Sequence, residues 1–341
     1  MKKFLWILSA TALCAVFCSC ALQAQKPSEV SFEAMDTFMS LKIYGENSED
    51  VAIAVQNKTE QLEALMSAED ENSDIFKANQ ADAQPFELSE DTADIVQKSL
   101  DLCKEAEGSL DITIYPVVCE WGFISKSYKI PQQSKIDELL KSVDYKRVKL
   151  DGKKITLLPD MQLDLGAVAK GYAADKGIEI CKEEGVSSAL LNFGGTVAAV
   201  GTKPDASSWK IGIADPENRA SYFGYLSCKD TVVATSGGYE RCFTGEDGKT
   251  YIHIIDPKTG QPVDNDISSV TIVSPSGLKS DALSTALFVM GIDGAREYQK
   301  ANGGFDFVIL SKDNEVYVTS TISQSFTLAE GSKDLKINIV N

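Results

Sequence analysis

Asp281 and Thr285 stand four apart in Ser280-Asp281-Ala282-Leu283-Ser284-Thr285-Ala286-Leu287. In a helix they share one face, close to its start. A carboxylate and a hydroxyl so placed suit a hard cation such as Mg²⁺, which keeps waters or phosphate oxygens as its other ligands. An acid there also complements the helix dipole without any ligand. The second group is Leu163-Asp164-Leu165-Gly166-Ala167-Val168-Ala169-Lys170-Gly171-Tyr172. It reads as a strand running into a helix, a junction whose free amides favour anions, with Lys170 one turn in. A plain strand-to-helix connection with a solvated Lys fits the same residues. Asn192-Phe193-Gly194-Gly195 and Thr235-Ser236-Gly237-Gly238 can present N–H nests or simply close hairpins. His253 precedes the defined turn Asp256-Pro257-Lys258-Thr259-Gly260. It is either a general base with a pKa near neutrality or a structural residue on a strand.

His253 is the one histidine in 341 residues, which removes multi-His zinc sites and the HExxH motif. Neither a Walker A loop, GxGxxG nor a GxSxG elbow is present. Lys plus Arg is 33 against 50 Asp plus Glu, giving −17. Such a chain is a poor general binder of nucleic acid, so no nucleic-acid partner is expected. With 43% hydrophobic residues the chain reads as globular.

The elements that must position these groups follow from pattern and punctuation. Lys2 and Lys3 precede an apolar run over Phe4–Phe17, which reads as a signal segment over residues 1–19. Val16-Phe17-Cys18-Ser19-Cys20 resembles a lipoprotein box, giving a lipid anchor at Cys20 and a tether over residues 20–30. Ordinary cleavage near Ala24 is the rival. The remaining domain spans residues 31–341. Five cysteines follow Cys20, an odd number without CxxC, so they read as small buried hydrophobes rather than a disulfide framework. A strand is expected over Ser31–Tyr44 and helices over Asp50–Met66 and Glu90–Ala106, the latter capped by Ser89. Ala68–Gln84 reads as loop and Leu110–Val118 as β. Hairpins turn at Asp151-Gly152 and Gly194-Gly195. Helices are expected over Ala167–Glu184, Ser280–Met290 and Gly294–Ala301. Strands joined by tight turns and interleaved with helices favour a mixed α/β layer protein over a doubly wound parallel sheet.

Seven ordered strings carry a resemblance: Ser109-Leu110-Asp111-Ile112-Thr113, Trp121-Gly122-Phe123, Leu163 to Tyr172, Asn192 to Gly195, Ala234 to Gly237 with Tyr239, His253 to Gly260, and Asp281 to Leu287. Together, from Met35 to about Tyr317, they resemble the ApbE family of FAD:protein FMN transferases. The resemblance implies a T-fold-related α/β architecture with FAD held between two lobes. It implies Mg²⁺-dependent transfer of FMN from FAD to a threonine of an exported protein, with release of AMP. FAD pyrophosphatase activity, or FAD storage by a lipoprotein, are the alternatives. It also implies FAD against Met35, Ser109, Leu110, Asp111, Asp164, Lys170 and Ile255. Mg²⁺ falls to the side chains of Asp281 and Thr285 and the carbonyl of Ala167. Many members are exported and lipid-anchored, in keeping with Cys20 and a periplasm-facing membrane. The family's usual Met-Gly-Thr is Met35-Asp36-Thr37 here, several relatives carry an acid where Ser284 stands, and no aromatic stands at Ala68-Glu69. The chain holds no Asp-Gly-x-Ser/Thr-Gly/Ser-Ala-Thr segment of the acceptor type, so self-flavinylation is not expected.

Overall fold

The computed structural model describes residues 26–341; the signal segment, Cys20 and the start of the tether lie outside the described residues. The centre is a nine-stranded sheet whose spatial order is also its chain order: Ser28–Ala34, Thr37–Ile43, Ser188–Phe193, Thr196–Gly201, Thr231–Gly237, Ile267–Ser274, Asp306–Ser311, Glu315–Thr319 and Lys336–Val340. Every neighbouring pair is antiparallel except the last. Tight turns join three of these pairs, at Ala34–Thr37, Phe193–Thr196 and Ser311–Glu315, and the longer connections carry the helices and the small sheet. The single strand expected over Ser31–Tyr44 is in fact a hairpin, with Ala34 opposite Thr37 across the turn Met35-Asp36. Both turn residues have positive φ, 51° and 58°, as a type I′ turn requires. Asp36 thus keeps the left-handed backbone that a glycine would adopt, because Asp tolerates that region. Met35 is held there by its N–H, which donates to Glu63 Oε1 at 2.6 Å.

Seven helices are described: α1 (Ser48–Met66), α2 (Asp74–Asn79), α3 (Glu90–Glu105), α4 (Tyr115–Glu120), α5 (Gln133–Leu139), α6 (Ala169–Glu183) and α7 (Gly277–Asn302). Most of the large core lies between one sheet face, through Met39, Leu41, Ile43, Leu191 and Phe193, and the helical layer. On the other face, a smaller sheet of Trp209–Ala214, Tyr222–Cys228 and Phe326–Leu328 buries Trp209, Ile211, Phe223 and Phe326 against Val233, Val273, Val308 and Leu310. Helix α3 has the expected Ser89 cap. Helix α7 breaks at Gly291 (φ 77°, ψ 175°), matching the two helices expected there.

Three further readings change. The loop expected over Ala68–Gln84 contains α2, started by Ser73 Oγ accepting from Phe76 N–H at 2.9 Å. The β-like run Leu110–Val118 is a turn followed by α4, with Pro116 in the first turn, where its missing N–H costs nothing. The strand expected over Leu163–Leu165 reduces to an isolated bridge of Gln162 with Ile114, and α6 begins at Ala169. The five described cysteines are free; Cys242 is the exposed one.

Candidate active site

The site forms where α6 and α7 cross. Gly171 sits at the crossing, and a Cβ there would lie 2.2 Å from the Gly277 carbonyl oxygen. That closeness lets the Gly171 N–H donate to Asp281 Oδ2 at 2.8 Å. It also has a consequence for Ala167: its carbonyl lacks the Gly171 donor that a regular helical turn would bring, and no other backbone donor reaches it among the described residues. Thr196 Oγ1 donates to Asp281 Oδ1 at 3.3 Å, and Lys170 Nζ stands 3.8 Å from Oδ2. Asp281 is 5% exposed, and burial pushes its carboxyl above the ordinary range; Lys170, the Gly171 N–H and Thr196 pull the other way without winning. Thr285 follows one turn later, its hydroxyl 3.4 Å from Ser236 Oγ. Ser284 points inward, bonded to Ser236 Oγ (2.7 Å) and to the Asp281 carbonyl (2.7 Å), so its hydroxyl is occupied.

These groups open onto one cavity of about 1140 Å³. Met35, Ser109, Leu110, Asp111, Asp164, Ala167, Lys170, His253, Ile255, Asp281 and Thr285 all line it. The structure therefore brings the residues expected at FAD, at Mg²⁺ and as the base to the lining of one cavity. Their free atoms differ. Asp111 Oδ1 accepts from the N–H and hydroxyl of Thr113 (2.8 and 2.6 Å), and Oδ2 accepts from Tyr145 N–H at 3.0 Å. Its carboxylate is committed to its own loop, which fixes the wall that Ser109 and Leu110 present. Asp164 likewise accepts from Gly166 N–H at 2.8 Å, and burial raises its pKa.

His253 does not keep the near-neutral pKa expected of it. Burial, with the charges of Arg241 and Lys170, pushes it down to about 4. Its Nδ1 lies 3.2 Å from the Arg241 carbonyl oxygen. A neutral ring donates from Nδ1 there, leaving Nε2 as the acceptor nitrogen. The ring is placed by an aromatic cluster: Phe123 meets it edge-on at 6.5 Å, and Trp121 packs on Phe243 and Tyr251 while its Nε1–H donates to the Gly260 carbonyl at 2.9 Å. This is why the Trp-Gly-Phe and His-to-Gly strings belong together.

Four contributors are not marked by sequence spacing. Arg241 reaches Asp36 Oδ2 at 3.3 Å across the cavity rim. Ser236 links to Ser284 and Thr285. Thr196 supports Asp281. Asp175 accepts from the Leu278 N–H at 3.0 Å and from Ser276 Oγ at 3.1 Å, which anchors the start of α7 on α6. Only Ser236 lay in a string with a sequence signal.

In this layered α/β architecture an acid, a lysine and a bare carbonyl meet at the base of one cleft. Residues 35–309 match the ApbE family, and the chain belongs to that family. It is 30% identical to the FAD:protein FMN transferase of Haemophilus influenzae, over 97% of this chain and 99% of that one. It is 31% identical to the protein of that name in Treponema pallidum, over 77% of each. Among solved structures, the ApbE protein of Thermotoga maritima superposes with a TM-score of 0.82 at 29% identity, covering 88% of this chain and 99% of that one. The flavin transferase ApbE of Vibrio cholerae gives 0.80 at 25% identity, with the same coverage.

Proposed function

We propose that this protein transfers the FMN half of FAD to a threonine hydroxyl of an exported acceptor protein and releases AMP. The observation that carries the reading is the meeting of Asp281, Thr285, Lys170 and the bare Ala167 carbonyl at the base of one large cleft. A buried carboxylate whose charge its protein partners do not fully offset, beside two neutral oxygens, suits a hard divalent cation with open positions. Asp281, Thr285 and Ala167 would hold Mg²⁺, which when bound supplies positive charge against a diphosphate.

The chain's own residues do the rest. Lys170 and Arg241 attract the diphosphate into a net-negative protein. Met35, Ser109, Leu110, Asp164 and Ile255 line the walls that orient FAD, so that the FMN-side phosphorus faces the acceptor. The acceptor oxygen bonds to that phosphorus as the anhydride bond to the AMP phosphate breaks. The hydroxyl proton passes to His253 Nε2. At a pKa of about 4 the free ring is a weak base, and the negative charge of a bound diphosphate raises it.

The sequence further supports export and a lipid anchor at Cys20 on a periplasm-facing membrane; no helix among the described residues is long and apolar enough to cross one. The test is the nucleotide recovered after incubation with FAD and Mg²⁺. Release of AMP only when acceptor is present is the expected result. Release without acceptor assigns FAD hydrolysis, and intact FAD throughout assigns storage.

A further inference from the structure

The cavity extends well beyond the residues that would face FAD. It continues along the sheet face opposite the helical layer, where Ser31, Ser40, Asn192 and Val197 form one transverse row through the pairs Ser31–Ser40, Ser40–Asn192 and Asn192–Val197. The small sheet covers the later strands and packs on Val197, and leaves Ser31 and Ser40 exposed. The wall beside it is the strand Trp209–Ala214, which pairs with Tyr222–Cys228 on one side only. Its outer edge makes no backbone hydrogen bond among the described residues. Lys210, Gly212 and Ala214 line the cavity from one face of the strand, while Ile211, whose backbone also borders it, buries its side chain beneath the small sheet.

The trough has a direction. At one end Trp209 is fixed, its Nε1–H donating to the Val200 carbonyl at 3.3 Å. Beyond Ala214 at the other end, Arg219 pairs with Glu240 at 3.0 Å, one residue before the Arg241 whose carbonyl holds His253. The six residues of the wall span about 20 Å. A free strand edge beside the short side chains of Ser31, Ser40 and Asn192, with the Glu29–Lys42 ion pair (2.7 Å) bounding the floor one row along, is geometry that accepts an added strand, with main-chain hydrogen bonds giving affinity. Lys210 lies over the Tyr225 ring at 3.8 Å and has no carboxylate partner among the described ion pairs.

We propose that this trough binds the acceptor protein. A segment of about six residues lies extended along Trp209–Ala214 as a fourth strand of the small sheet. It is small in the side chains that face Ser31 and Ser40, carries an acidic group toward Lys210, and delivers its hydroxyl at the Arg219 end. The proposal rests on the transferase reading and adds where the second substrate lies.

The experiment uses the full chain, FAD, Mg²⁺ and a soluble carrier protein bearing an Asp-Gly-Ala-Ser-Gly-Ala-Thr segment, with covalent flavin read by in-gel fluorescence. Ser40→Trp fills the floor at an exposed position, and Lys210→Glu reverses the wall charge. Each is expected to raise the KM for the carrier at least tenfold and to leave FAD affinity, read by flavin fluorescence, within twofold. If Ser40→Trp melts early, Ser31→Trp in the same row replaces it. Unchanged carrier KM in these variants overturns the trough while the transferase reading stands. Loss of FAD affinity also overturns it, by making the trough part of the nucleotide site. Absence of carrier labelling by the unmodified protein, with AMP released from FAD alone, removes the transferase reading and the trough with it.

Discussion

Replacing Asp281 by Asn separates folding from function. The carboxyl is buried, and Lys170, the Gly171 N–H and Thr196 only partly offset the cost of its charged form. Its folded pKa lies above the unfolded value. The folded protein therefore holds this proton more tightly, gains stability as pH falls toward the raised value, and bears the cost of the charge above it. Asn keeps an oxygen for the Gly171 N–H and removes the charge. Without divalent cation the variant is expected to melt at or above the wild-type temperature. Cation binding reverses the ranking. At one hundred times its dissociation constant, a ligand of the folded state contributes about 2.7 kcal/mol. In a chain of this size, at about 2 °C per kcal/mol, that is about 5 °C. Wild type in excess FAD should show this increment on adding MgCl₂, and the variant should show under about 1 °C. Turnover of the variant should fall at least about 100-fold, since charge neutralisation of the diphosphate is worth several kcal/mol. Differential scanning fluorimetry with and without MgCl₂, paired with AMP release, reads both. A variant that melts about 2 kcal/mol lower without cation, or that keeps the Mg²⁺ increment, would refute the reasoning.

Gly171→Ala gains up to about 1 kcal/mol of helix propensity but drives a Cβ to 2.2 Å from the Gly277 carbonyl. Backbone cannot yield that distance cheaply, so a net loss of about 2 kcal/mol is expected in urea unfolding, with loss of activity. His253 has a folded pKa of about 4 against about 6.5 unfolded, so up to about 3 kcal/mol of stability, present above pH 6.5, is lost as pH falls to 4. His253→Asn should flatten that part of the stability–pH curve. Cys20→Ser, exported intact, should move the protein from the membrane to the soluble fraction; retention after a salt wash would place the anchor elsewhere.

The site was legible in the sequence as far as local spacing could carry it. Asp281 and Thr285 share a face because four residues make about one helical turn, and α7 bears that out. The Gly194-Gly195 turn is equally local. What could not be read is contact between elements. The Gly171–Gly277 crossing decides both the Asp281 partner and the bare Ala167 carbonyl, yet it joins residues more than a hundred positions apart. The His253 pKa depends on burial and on Arg241 and Lys170, which sequence does not place beside it. Leu110–Val118 misled because Ile112, Thr113, Ile114, Val117 and Val118 are β-formers, while Pro116 marks a helix start only once the turn before it is known. The Met35-Asp36 turn lacks glycine and is held open by Glu63, a tertiary contact that no local pattern announces.

The central claim is that the bond to the acceptor is made at the expense of the FAD anhydride. FMN has no anhydride bond, so it can occupy the site only as a product. The direct measurement supplies an acceptor protein and Mg²⁺ with either FAD or FMN and follows flavin fluorescence that survives denaturation. Fluorescent acceptor with FAD, matched by AMP, and none with FMN is the predicted result. Covalent signal from FMN alone would contradict the account.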